Sequence, residues 1–143
     1  LVAAIELGRR LATQTTEEPF QIRSPADAAH LFMPWIGHQE QENFAILYLN
    51  TRNHVLDREV LYRGSLNTSI VRTAEVFRGA IRRNCASIMI AHNHPSGDPT
   101  PSQSDIDMTQ QVEQAALTSG ITLHDHLIIG KSRELSFRAE GLL

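Results

Sequence analysis

The stretch at residues 86–105 reads ASIMIAHNHPSGDPTPSQSD. Its first five residues are mostly apolar and partly β-branched, a composition that predicts a short buried strand. Side chains two residues apart on an extended chain point the same way, so His92 and His94 should project together from the strand's C-terminal end. Two adjacent imidazoles form half of a metal site.

The second half of this stretch supplies a third ligand. A loop of Pro, Ser, Gly and Asp leads to a helix that opens near Ser102, and Asp105 in its first turn can reach back toward the histidines. Two imidazoles and one carboxylate, with a fourth position open, are typical of a hydrolytic zinc centre rather than a structural one. We therefore expect Zn²⁺ to be held by His92, His94 and Asp105.

Each of these residues also has a structural explanation. Thr100-x-x-Gln103 and Ser102-x-x-Asp105 both fit a helix capping box, and Thr100 is followed by Pro at what would be the first helical position. A single histidine near a strand end is usually an ordinary polar residue. We favour the metal site because His-x-His-x7-Ser-x2-Asp is a four-point pattern, which is far rarer by accident than any of its parts.

The same four residues match the JAMM motif of the JAB/MPN metalloprotease superfamily. The fuller string HNHPSGD at residues 92–98, with Ser102 and Asp105 after it, resembles the bacterial RadC family. Segments at residues 42–44, 63–66 and 125–130 resemble RadC segments in the same order. The resemblance covers about residues 24–143.

The resemblance implies a fold, an activity and two further site residues. The fold is an α+β domain of MPN/JAB type, a cytidine-deaminase-like α-β-α sandwich with a mixed central sheet. The activity is that of a zinc-dependent peptidase or amide hydrolase, in which a glutamate activates a metal-bound water. That glutamate corresponds to Glu42, although the residues alone do not separate it from Glu40. Ser102 would donate a hydrogen bond to the developing oxyanion.

A second cluster, His124-Asp125-His126, lies in a later apolar strand. Regular alternation predicts that both imidazoles point one way and Asp125 the other. A ligand role and a supporting hydrogen-bonding role are both open, and the supporting role is the more common for such a position. The RadC resemblance adds an Asp-His pair here without assigning it a role.

The remaining pattern mixes helices with strand hairpins, which favours an α+β or α-β-α arrangement over a purely parallel sheet. Ser24-Pro25 and Thr73 are the expected starts of two helices, and Gly120 is the expected end of the motif helix. The predicted helices cover residues 1–14, 24–37, 73–84 and 102–119. The predicted strands cover residues 42–50, 54–63, 69–71, 86–90, 121–129 and 135–137.

Length and composition bound the remaining possibilities. The chain has 143 residues, enough for one domain, and a net charge of −3. Its single cysteine, Cys85, excludes an internal disulfide and is expected to be a small buried hydrophobe in a reducing compartment. No apolar run approaches 18 residues and no signal segment is visible, so we expect a cytoplasmic protein without membrane contact.

By resemblance, residues 1–23 are expected to be a helix and linker at the end of an upstream helix-hairpin-helix domain, with the RadC-like JAB/MPN domain at residues 24–143. The expected partner is a peptide or protein substrate.

The alternative function is that of a DNA-repair-associated nucleic-acid-binding protein or metal-dependent nuclease, because RadC proteins carry a DNA-repair label. The mild negative charge and the lack of a Lys/Arg stripe argue against it, and any DNA contact is expected only through the upstream domain. A non-catalytic scaffold is the third possibility.

Overall fold

A computed structural model describes residues 1–14, 18–65 and 71–143 of the chain. It contains four helices and five strands over these residues. The helices are α1 Val2–Gln14, α2 Pro25–Ile36, α3 Thr73–Arg82 and α4 Gln103–Ser119. The strands are β1 Asn43–Leu49, β2 Val55–Arg63, β3 Ser87–Asn93, β4 Thr122–Ile129 and β5 Glu134–Ser136.

The five strands form one sheet in the order β2-β1-β3-β4-β5. Strand β1 is antiparallel to both β2 and β3, and β5 is antiparallel to β4. Strands β3 and β4 are parallel, since α4 carries the chain back across the sheet between them. The predicted mixed sheet is therefore confirmed.

Both faces of the two central strands are buried, because every residue of β1 and of β3 is buried. One set of alternating side chains, including Leu47 and Met89, packs with Phe32 of α2. The opposite set, including Ile46 and Ile90, packs with residues of α3 and α4. Helices thus cover the sheet on both sides, which confirms the α-β-α sandwich expected from the pattern of elements.

Helix ends follow the sequence signals at three of five positions. Ser24 caps α2 by accepting a hydrogen bond from the Asp27 N–H. Ser102 caps α4, and Gly120 ends it with a φ of +72° that favours glycine.

Two expected caps are wrong. The Thr100 hydroxyl donates to Asp98 Oδ1 at 2.7 Å, because this carboxylate lies only two residues away, and α4 begins later. Thr73 is the first residue of α3 rather than its cap, and Arg72 occupies the cap position without a side-chain hydrogen bond.

Some expectations concern segments at the margins of the described residues. The short strand expected at residues 69–71 lies mostly outside them, as do residues 15–17 of the expected linker. The end of that linker contacts the sheet, since the Val55 N–H donates to the Phe20 carbonyl at 2.9 Å. Cys85 is buried as expected. None of the helices in the described ranges is long and apolar enough to cross a membrane.

The central position of β3 predicts a large effect from shortening its core side chains. Ile90 is fully buried, so Ile90→Ala should lower the free energy of unfolding by about 2–5 kcal/mol through lost burial and a residual cavity. Ile81→Ala is the matched control, because Ile81 is 64% exposed on α3 and its truncation should change stability by less than about 0.5 kcal/mol. Urea denaturation of the two variants measures the difference. Equal effects would contradict the assignment of Ile90 to the core.

Candidate metal centre

The two motif histidines lie together at the C-terminal end of β3. His92 is the penultimate residue of the strand and is 1% exposed. His94 follows the strand, but its N–H donates to the Ile129 carbonyl at 2.9 Å, which keeps the chain extended beside β4. The alternation of the strand therefore continues through His94, and the two ring centroids are 4.9 Å apart.

The third motif residue, Asp105, arrives from the start of α4. The Ser102 side chain accepts a hydrogen bond from the Asp105 N–H at 3.1 Å, and Asp105 Oδ2 accepts one from the Ser102 N–H at 2.7 Å. This is a complete capping box. Because it fixes the carboxylate at the first turn, Asp105 Oδ1 lies 3.1 Å from His92 Nε2, and Oδ2 lies 3.4 Å from His94 Nε2. The capping role of Asp105 is thus compatible with the predicted ligand role, because the capping carboxylate faces both histidines.

The donor atoms fit the size of a small divalent ion. His92 Nε2 and His94 Nε2 are 3.0 Å apart, and the three donor atoms lie within 4.8 Å of one another. Bonds of about 2.0–2.1 Å in a tetrahedral zinc site place neighbouring ligand atoms about 3.3 Å apart. Within the described ranges, these three side chains form a cluster of potential ligands that could hold one metal ion. That these residues bind zinc stays a prediction.

The electrostatics of the cluster also favour a cation. His94 Nδ1 donates to the Asp98 carbonyl at 2.8 Å, so the neutral ring directs the lone pair of Nε2 toward His92 and Asp105. Burial alone would raise the pKa of Asp105, but the facing imidazoles of His92 and His94, which donate to the carboxylate when they are protonated, outweigh it and hold this pKa far below its ordinary value. The Asp105 carboxylate in turn raises the pKa of His94. A positive charge is favoured at the point where the three side chains meet.

Glu42 lies close to this cluster, whereas Glu40 is exposed. Glu42 immediately precedes β1, is half-buried, and its charge contributes to the raised pKa of His94. Its carbonyl accepts a hydrogen bond from the Gly64 N–H at 2.9 Å. The residues alone left open whether Glu40 or Glu42 belongs to the site. Glu42 is the one of the two whose charge acts on the cluster.

Asn93, between the two histidines, has a role that sequence reasoning missed. Its fully buried side chain points away from the ligands, accepts a hydrogen bond from the Asn43 N–H at 2.7 Å and donates to the Gln39 and Gln41 carbonyls. These bonds fix the segment that carries Glu42. The sequence signal for this role is a polar residue inside a buried strand whose side chain points to the opposite face from the two histidines.

The second histidine cluster does not follow regular alternation. Leu123 pairs with Ile88 but Asp125 pairs with Met89, so His124 is an extra residue in a β-bulge. The two imidazoles consequently have separate partners: His124 Nε2 lies 2.9 Å from Asn53 Oδ1, whereas His126 contacts His92. Burial lowers the pKa of His126 well below its usual value.

Asp125 joins this strand to the C-terminal segment. The carboxylate is buried and accepts hydrogen bonds from the Ser136 hydroxyl at 2.5 Å and from the Arg138 N–H at 3.0 Å. Both partners belong to β5 and the residues after it. Asp125 is thus a structural residue and not a ligand.

Comparison with known proteins points to one family. A family model described as a RadC-like JAB domain matches residues 22–142. A UPF0758 protein of Listeria monocytogenes is 49% identical over 141 residues, which cover 99% of this chain and 63% of the relative. A UPF0758 protein of Roseiflexus castenholzii is 51% identical over 142 residues, which cover 99% of this chain and 61% of the relative. The chain thus spans less than two thirds of these curated relatives.

The bonds of Asn93 predict the effect of removing its amide. Asn93→Ala leaves the buried Asn43 N–H without its acceptor, so the free energy of unfolding should fall by about 1–3 kcal/mol or more. Hydrogen exchange at the Asn43 amide should accelerate. Amides in the middle of β1 bond to neighbouring strands and are the internal control. Unchanged exchange at Asn43 would contradict the proposed anchoring.

Proposed function

Since the chain belongs to the RadC-like JAB domain family, we propose that it is a zinc-dependent peptidase or amide hydrolase of the JAMM type. One observation carries the proposal: His92 Nε2, His94 Nε2 and the Asp105 carboxylate converge on one point. These three residues would hold the ion. When bound, zinc supplies Lewis-acid chemistry, because it polarises a carbonyl oxygen and lowers the pKa of a water to about 7.

Glu42 is the proposed general base and general acid. It would take the proton from the attacking water and return the proton to the leaving nitrogen as the amide bond breaks. Its half-buried position and its electrostatic effect on His94 support this role. The three bonds of Asn93 would hold the Glu42 segment in place while the proton is transferred.

Ser102 is the proposed donor to the developing oxyanion. Its Oγ accepts the hydrogen bond from the Asp105 N–H, which uses a lone pair and leaves the hydroxyl hydrogen able to donate. The residue is exposed at the start of α4, where a substrate carbonyl could reach it. The capping bond also holds the hydroxyl in one orientation, which a preorganised oxyanion site requires.

The role of Glu42 predicts a separation of metal binding from turnover. Glu42→Gln should retain one zinc per chain but lose about 10²–10⁴-fold in kcat, because the amide cannot accept the proton. His92→Ala or His94→Ala should lose the zinc as well as the activity. Metal analysis of each purified variant, followed by kinetics on a library of peptide and isopeptide substrates, measures both properties.

Glu40→Gln is the matched control, because Glu40 is exposed two residues earlier and its loss should leave the kinetics unchanged. Normal cleavage by Glu42→Gln would refute the assignment of the base. The wild-type protein should also be incubated with single-stranded and branched DNA. Cleavage of DNA without cleavage of any peptide would refute the peptidase proposal.

The two roles of Ser102 can be separated by Ser102→Gly. Glycine is an acceptable N-cap, so this variant should lose only a few tenths of a kcal/mol of stability. It removes the hydroxyl donor, so kcat should fall by about 10²–10³-fold. Thermal unfolding and steady-state kinetics on the same preparation test both effects. An unchanged kcat would leave Ser102 with its capping role alone.

A further inference from the structure

Behind His92, on the side away from the Asp105 carboxylate, the buried side chains of His126 and Thr109 continue a row of hydrogen bonds that starts at His92. His92 Nδ1 lies 2.8 Å from His126 Nε2, and His126 Nδ1 lies 2.6 Å from Thr109 Oγ1. Thr109 Oγ1 lies 2.6 Å from the Asp105 carbonyl oxygen. All three side chains are at most 1% exposed, so water cannot take the place of any partner.

The direction of each bond follows from the carbonyl at the end of the row. A carbonyl oxygen only accepts, so the Thr109 hydroxyl donates its single hydrogen to Asp105. Thr109 Oγ1 must then accept from His126, which places the His126 proton on Nδ1. A charged imidazole without a carboxylate partner would be costly at full burial, so His126 is neutral and its Nε2 carries a lone pair.

The hydrogen bond between His126 and His92 determines the tautomer of His92. Because His126 Nε2 accepts, His92 Nδ1 carries the proton and donates it. The Nε2 of a neutral His92 is then unprotonated, and this is the atom that faces His94 and Asp105. An imidazole nitrogen must be unprotonated to bind a metal ion.

The His126 ring is held in position by aromatic packing. It stacks on Phe137, with ring centroids 4.6 Å apart and an angle of 21° between the planes. Phe44 contacts its edge from β1. The ring is therefore constrained by packing as well as by its two hydrogen bonds, and it joins α4, β4 and β3 at the site.

We propose that Thr109 and His126 are positioning residues that hold His92 in the tautomer able to bind the ion. The inference rests on the proposed function only in its requirement that an ion binds. It predicts that the zinc affinity depends on the direction of these hydrogen bonds and not only on how the side chains pack. A hydrogen bond from Nδ1 also makes the opposite nitrogen a stronger ligand.

Thr109→Val tests the direction with almost no change of shape. Without the hydroxyl, the Nδ1–H of His126 is a buried donor with no acceptor, which costs more than an unpaired lone pair, so the proton should move to Nε2. The ring then donates to His92 Nδ1, and the His92 proton moves to Nε2, where it hydrogen-bonds to Asp105. Zinc must displace this proton, so its affinity should fall by about 10–100-fold.

Two variants control for other effects of the substitution. Thr109→Ser keeps the hydroxyl and should restore the wild-type zinc affinity. Thr118→Val removes a hydroxyl that also bonds to the carbonyl four residues earlier on α4, but at an exposed position. It should leave the zinc affinity unchanged.

The zinc dissociation constant is measured by competition with a chromophoric chelator. The tautomer of His92 is measured by ¹⁵N NMR of the histidine rings in the zinc-free protein. The expected result is Nδ1–H in the wild type and in Thr109→Ser, and Nε2–H in Thr109→Val. Wild-type affinity in Thr109→Val, an equal loss in Thr118→Val, or an Nε2–H tautomer in the wild type would each overturn the proposal. Since neither readout requires catalysis, a protein that shows the expected pattern but cleaves no peptide would refute the peptidase function and support this inference.

Discussion

The Asp105 carboxylate is the group on which the geometry of the site depends. Its Oδ2 closes the capping box that starts α4, and its two oxygens face the imidazoles of His92 and His94. The start of the helix therefore cannot shift without moving a proposed ligand. The carboxylate is buried, and its negative charge is stabilised by the Ser102 N–H and by its position at the start of the helix. A cation between the three side chains would stabilise both the helix start and the cluster, because binding to the folded state alone adds to the free energy of folding.

One strand end positions residues on both sides of the sheet. Alternation along β3 turns His92 and His94 toward α4 and turns Asn93 toward the segment before β1. The side of the strand that carries Asn93 thus fixes the backbone next to Glu42, while the opposite side carries the proposed ligands. Because both sets of contacts arise from three consecutive residues, the distance between Glu42 and the ligands is determined by the sheet rather than by a long loop. A rigid element of this kind holds catalytic groups more accurately than a loop.

The sequence predicted those features that depend on local spacing. The Ser102 cap and the Gly120 end follow from patterns of a few residues, and the ligand motif lies within residues 92–105; the structure brings His92, His94 and Asp105 together. Two of the failures have longer-range causes. The bulge at His124 is set by the pairing of β4 with β3, so regular alternation gave the wrong direction for one imidazole. The partners of Asn93 lie about 50 residues away in the chain, and no local pattern indicates them. At Thr100 the cause is local, because the hydroxyl donates its hydrogen bond to the Asp98 carboxylate two residues earlier.

One side of the site is buried and the other is accessible to solvent, and the residues on the two sides have different proposed roles. The His92 side chain is 1% exposed and the His94 side chain 15%, so solvent reaches the cluster from the side of His94. The residues behind His92 are neutral and form hydrogen bonds of fixed direction, which suits groups that hold a ligand in one state. Glu42, the residue proposed to transfer the proton, is half-buried, and Ser102, the proposed hydrogen-bond donor to the oxyanion, is exposed. Proton exchange requires access to the substrate, whereas a fixed tautomer requires the exclusion of water, which would offer either nitrogen an alternative partner. The buried side of the site therefore holds the ligands in one protonation state, and the accessible side carries the residues proposed to act on the substrate.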